Sequence, residues 1–308
     1  MKTKLMMMAA VAAVGMTIVS CSSDNESLVE DVQPGKAHVR LVCGMGVSVS
    51  PMSRAALSAN GKALTDLYIL DYDKATGKLL QVLHQTSTAA DFAEPDLILD
   101  YGEHVLKVVA TRSQEPTLWD AQKMTWQVEP NILTPVTATQ PVMLTSTKTS
   151  DTFGAEKEVR VGIGTAATVS ITLDRLVAKL VVNSTDVFPG DCTTITLDFQ
   201  EYRTLSWTTM DVSEAVNNQR IVDVTNLRGT TGTVLSYFVL APKDGYQTDI
   251  TLTTNRTEGN PYSTITVPGV TLERNKVTTI SGPIYGHEQG FQVTVNDTWV
   301  NEGHDINI

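Results

Sequence analysis

The sequence predicts an all-β protein, two tandem antiparallel β-sandwich domains, and three observations carry its strand-rich character. Apolar and polar residues alternate at period two in many short runs, the signature of half-buried strands. Turn residues recur about every 8–15 positions, the spacing of a meandering all-β chain. Threonine supplies 42 of the 308 residues, which favours strands over helices. The length leaves room for two domains of ordinary size, expected at 37–173 and 174–308.

The first strand is the clearest. Val39, Leu41, Cys43, Met45, Val47 and Val49 share one parity, with His38, Arg40 and Ser48 on the other, and Pro51-Met52-Ser53-Arg54 ends the run. Asp66–Asp73, with Leu67, Tyr68, Ile69 and Leu70, and Lys78–His84 are strands around Lys74-Ala75-Thr76-Gly77, a hairpin turn. Leu97–Leu99 and His104–Ala110 flank a tight turn at Tyr101-Gly102, and Val159–Ile163 and Val169–Leu173 follow. A new run opens at Asp174. Strands are expected near 194–199, 234–240, 249–254, 264–267, 276–280 and 291–295. Asp211–Gln219 is the best helix candidate, and a loop with weak helical character runs from Trp119 to Trp126.

The formal charge is −11, from 34 acids against 23 bases. So acidic a chain lacks the Lys/Arg surface that phosphate neutralisation requires, which excludes nucleic acid as partner. It argues equally against docking on anionic lipid by charge. No catalytic or cofactor signature survives its context. Gly162-Ile163-Gly164-Thr165-Ala166-Ala167 has the spacing of a dinucleotide turn, but a strand follows where a helix is needed. Asp71-Tyr72-Asp73…Gly77 has the look of a calcium loop but ends on Val82 where a bidentate acid belongs. The five histidines show no zinc spacing, and there is no Gly-x-Ser-x-Gly elbow. Cys43 and Cys192 read as buried small residues rather than a disulfide pair. No enzyme, metal or cofactor is therefore expected. A sugar-stacking platform could use Trp119 and Trp126, with Trp207 and Trp299 elsewhere, and a glycosidase would need two carboxylates in a cleft.

Lys2 and Lys4 precede an apolar run, Leu5–Val19, too short to span a bilayer comfortably, so residues 1–20 read as a signal peptide. Ile18-Val19-Ser20-Cys21 resembles a bacterial lipobox, which implies that Cys21 is acylated and becomes the mature N-terminus. Ser22-Ser23-Asp24-Asn25-Glu26 is similar to the export signal of Bacteroidota surface lipoproteins. Residues 21–36 then serve as a lipidated linker.

Several segments in order resemble the fimbrillin superfamily of Bacteroidales fimbriae. They are the lipobox with its linker, the strand Ala37–Val49 leading to Ser53-Arg54-Ala55, and Leu64–Tyr72. Leu99–Leu106, Asp151-Thr152-Phe153 leading to Arg175–Lys179, Leu272–Thr278 and Val293–Trp299 complete the series. The resemblance implies a non-enzymatic fimbrial (pilus) subunit on the outer membrane, two transthyretin-like sandwiches, and a role in adhesion. It implies a protease cut at Arg54–Ala55 that removes the first strand, leaving a groove that a neighbouring subunit's strand fills. Val39, Leu41, Cys43, Met45, Val47 and Val49 would fill that groove before the cut. Phe291, Val293, Val295 and Trp299 are the candidate C-terminal donor strand, interrupted by Asp297, which favours an accessory, anchor or tip subunit over a stalk protein. The implied partners are other fimbrial subunits, the outer membrane through the N-terminal lipid, and a host or bacterial receptor or glycan. The alternative is a surface glycan-binding outer-membrane lipoprotein.

Overall fold

The computed structural model describes residues 35–45, 58–59, 62–111, 143–145, 151–163, 168–206, 209–256, 261–285 and 290–296. Cys21, Val47, Val49, Arg54, Ala55, Trp119, Trp126, Trp207 and Trp299 lie outside the described residues. Within them the secondary structure is strand throughout, apart from one short 3₁₀ turn at Thr225–Leu227.

Ten strands precede Leu176: β1 (Lys36–Met45), β2 (Ser58–Ala59), β3 (Lys62–Ala63), β4 (Asp66–Asp73), β5 (Leu79–Thr86), β6 (Asp96–Asp100), β7 (Gly102–Thr111), β8 (Met143–Thr145), β9 (Phe153–Val161) and β10 (Thr168–Arg175). Seven of them form one sheet in the order β5-β4-β7-β9-β10-β1-β6. β9 and β10 pair only at Gly154↔Asp174 and Phe153↔Arg175, so the sheet folds over at this corner. The layer β5-β4-β7-β9 then faces the layer β10-β1-β6. Leu67, Ile69, Leu106 and Val108 from one pack with Val39, Leu41, Leu97, Leu99, Ile171 and Leu173 from the other. Gly154 is needed at the corner, because a Cβ there would stand 2.8 Å from Leu176 Cδ1 and 3.1 Å from the Val108 carbonyl oxygen.

Eight further strands follow: β11 (Val177–Ser184), β12 (Cys192–Ser206), β13 (Asp211–Asp223), β14 (Gly232–Leu240), β15 (Tyr246–Arg256), β16 (Pro261–Leu272), β17 (Val277–Gly282) and β18 (Gln292–Asn296). They make the second sheet, β16-β15-β12-β14-β11-β17-β18, with β13 and β8 also on β12. β12 and β14 pair only at Tyr202↔Leu240, the second corner. Leu180, Val182, Leu197, Phe199, Tyr237, Val239, Ile250 and Leu252 build its core.

The expected strands are present, most of them longer than their alternation marked. Asp211–Gln219 is a correction: it is the first part of β13, not a helix. β13 pairs with β12 from Asp211↔Ser206 to Asp223↔Thr194. This long ladder satisfies a polar segment whose own pattern carries no period-two signal. The turn Lys74–Gly77 does close a hairpin: Gly77 takes a φ of 67°, its N–H bonds the Asp73 carbonyl, and the Asp73 carboxylate accepts from Thr76. Tyr101-Gly102 does not close one, since β6 pairs with β1 while β7 pairs with β4 and β9.

A third cluster joins the two sandwiches. β4 is buried on both faces: Leu67 and Ile69 enter the first core, while Tyr68, Leu70 and Tyr72 pack with Leu176, Val177, Leu205, Phe238 and Leu240. Arg175 fixes the junction. Its guanidinium donates to both oxygens of buried Asp151 (2.8 and 3.1 Å) and to Asn275 Oδ1 at 2.9 Å, and lies over the Phe153 ring.

Leu41 is fully buried whereas Arg40 beside it is exposed. Leu41→Ala should therefore cost about 2–5 kcal/mol in denaturant unfolding and Arg40→Ala under about 1 kcal/mol. Equal costs would mean that β1 is not a core strand.

Candidate functional site at the first strand

β1 is an interior strand of the first sandwich. On one side Arg40–Met45 pair in parallel with Thr168–Leu173 of β10. On the other, Lys36–Arg40 pair antiparallel with Asp96–Asp100 of β6. The ladder continues past β6, where the Leu41 N–H donates to the Pro95 carbonyl and the Cys43 N–H to the Ala93 carbonyl, both at 2.9 Å. Ala93 holds a φ of 73°, a left-handed conformation that costs a residue with a side chain about 1–2 kcal/mol.

Val39, Leu41, Cys43 and Met45 all point into the core. Full burial of a Val, Leu or Met side chain contributes about 1.5–3 kcal/mol. The same burial raises the Cys43 thiol to about 12, because the thiolate cannot be solvated there. Cys192 lies in the second core, also as a free thiol.

The solvent side of β1 is a feature that the alternation did not single out. Lys36 Nζ lies 3.5 Å from Asp100, His38 Nδ1 lies 2.8 Å from Asp96, and Arg40 pairs with Glu94. Ile98, half exposed, stands between the two aspartates on the same face. Positively charged or basic residues at alternate positions of one strand were the available signal, but their acids lie more than fifty residues away.

The other expected sites fall elsewhere. Phe291 packs over Gly282 and against the second core, and β18 forms the outer edge of the second sheet on β17. Val293 and Val295 are exposed there, so the donor candidates are not brought to the β1 groove. Asp71 does not face a cation: it is buried against His104 Nδ1 at 2.8 Å, whose Nε2 meets the Asp100 carbonyl at 2.8 Å. Burial pushes the Asp71 carboxyl up, against the pull of that hydrogen bond. Gly162-Ile163 follow β9, residues 164–167 lie outside the described residues, and the next described element is strand β10. Among the described residues no group of three His, Cys, Asp or Glu side chains is placed to hold a metal ion. A largely polar cleft of about 530 Å³ lies on β12, β13 and β15, where Phe199 lines it beside Asp198, Gln200, Asn217, Asn218, Gln219, Thr248 and Asp249.

These sheets define a class of fold, an all-β pair of sandwiches shared with solved proteins of Bacteroides. A proposed polysaccharide-binding protein (DUF1812) of Bacteroides thetaiotaomicron superposes with a TM-score of 0.51 at 11% identity, over 84% of this chain and 96% of that one. A proposed adhesin of Bacteroides ovatus gives 0.50 at 13%, over 88% and 96%. The tip fimbrial protein Mfa3 of Porphyromonas gingivalis gives 0.47 at 13%, over 85% and 100%. No curated protein matches the sequence. Residues 120–308 match the DUF6562 family, a family of unknown function, and the chain belongs to it.

The thiol on β1 reports whether the strand stays in place. In the folded chain Cys43 should react with N-ethylmaleimide at pH 8 at least about a hundredfold more slowly than in urea, because almost none of it is thiolate. Peptide mapping distinguishes it from Cys192. Ready alkylation of Cys43 in the native protein would mean that β1 opens freely.

Proposed function

We propose that this protein is a non-enzymatic subunit of a bacterial surface fimbria, assembled by β-strand complementation and supporting cell adhesion. One observation carries the reading. β1 is hydrogen-bonded on both edges and supplies the apolar row of one core layer, yet it is joined to the rest of its sandwich only through the segment containing Arg54. Cutting after Arg54 would let the strand depart with the N-terminal segment. It would leave unpaired N–H and C=O groups on β6 and β10 above an open apolar groove, which a strand from another subunit satisfies. Acylation of Cys21 would hold the uncut chain on the outer membrane, and the cut would free it. The fold shared with a proposed adhesin of Bacteroides ovatus is in keeping with this role.

The exposed and polar character of β18, with Asp297 and a polar tail beyond it, suits a subunit that polymerises at one end only. We therefore read the chain as an accessory, tip or anchor subunit, whose partners are other fimbrial subunits. Surface glycan binding is the second reading. The polar cleft on β12, β13 and β15 favours it, since amides and carboxylates suit sugar hydroxyls, and a glycan array tests it.

Arg54→Ala in the native host should leave the protein acylated, membrane-bound and absent from purified fibres, with folding unchanged because Arg54 lies outside the β1 strand Lys36–Met45. Normal entry of the variant into fibres would remove the cut from the assembly route.

A further inference from the structure

We propose that the strand which replaces β1 carries basic residues at alternate positions on its solvent face, and so is not the C-terminal strand β18 of a second copy of this chain. This rests on the strand-exchange reading and specifies the partner of that groove. The rim of the groove, not its apolar floor, sets this preference. Glu94, Asp96 and Asp100 line the β6 side, and in the uncut chain they are answered by Arg40, His38 and Lys36, all carried by β1. When β1 leaves, the three basic residues leave with it. The opposite rim offers no replacement: the solvent-facing residues of β10 beside β1 are Thr168, Ser170 and Thr172. An incoming strand with neutral or acidic residues at these positions would leave three carboxylates facing one another in a protein already at −11.

The apolar floor accepts many alternating strands, because it asks only for a Val/Leu-like residue every second position. The acidic rim is what separates them, acting chiefly by rejecting mismatched strands. This chain's own C-terminus fails that test. Beyond Lys276 it contains no Lys or Arg. The polar positions of β18 are Gln292, Thr294 and Asn296, and Asp297 follows. Self-polymerisation through β18 is thus disfavoured by charge as well as by its weak alternation.

The test uses the full mature chain cut after Arg54 and three fluorescent ten-residue peptides. One copies Lys36–Met45, one carries Lys36→Gln, His38→Gln and Arg40→Gln, and one carries Glu at those positions. Anisotropy in low salt should show the basic peptide entering about tenfold more tightly than the Gln peptide, with the Glu peptide weaker again. The preference should shrink to about twofold or less in 0.5 M NaCl, as exposed pairs are screened. It should vanish in Glu94→Gln/Asp96→Asn/Asp100→Asn, whose altered side chains are on the solvent side and leave the core intact. Equal binding of all three peptides in low salt would overturn the charge rule while leaving strand exchange standing. Failure of every peptide to enter would overturn strand exchange, and the charge rule with it.

Discussion

The first sandwich depends on one strand that is covalently peripheral and structurally central. β1 lies between β10 and β6, and β6 has no other strand partner among the described residues. Removing β1 would therefore do more than expose Val39, Leu41, Cys43 and Met45. It would detach β6 from the sheet and leave the Pro95 and Ala93 carbonyls without their donors. A chain cannot leave so much backbone unpaired above apolar surface at equilibrium, so the site must be filled, by its own strand or another. The demand for a strand is a consequence of the fold, independent of which strand answers it.

The rest of the structure keeps one wall of that site rigid. β10 forms one wall of the groove through Thr168–Leu173, and two residues later the same strand supplies Arg175 to the junction. Asp151, Asn275 and the Phe153 ring hold that guanidinium, and the apolar cluster around Tyr68, Leu70 and Phe238 packs the two sandwiches together. A groove wall braced in this way does not have to be rebuilt when its occupant changes. That favours exchange, because an incoming strand meets the β10 wall already formed and has only β6 to re-pair.

The strands were legible where one face is buried and the other wet, as in β1, β10 and β17, because alternation reports that condition directly. β13 was not legible. It lies on β12 with exposed Val216 and Ile221 on a largely polar surface, and its stability comes from pairing across the turn near Met210 rather than from its own pattern. The partner of β6 was hidden for a different reason. Nothing local to Leu97–Leu99 says that it pairs with a strand some sixty residues earlier instead of with β7 next door. The apolar row of the candidate site was visible in the sequence as far as Met45. Its acidic rim was not, because Glu94, Asp96 and Asp100 acquire meaning only once the topology sets them beside β1.

The account turns on whether β1 is a temporary occupant of its own groove. Mapping the N-terminus and intact mass of the protein recovered from fibres on the surface of its host tests this most directly. The account predicts a chain beginning at Ala55, lacking Lys36–Met45 and lipid. A fibre-borne chain beginning at acylated Cys21 with β1 retained would contradict strand exchange at this groove and leave only the anchor reading.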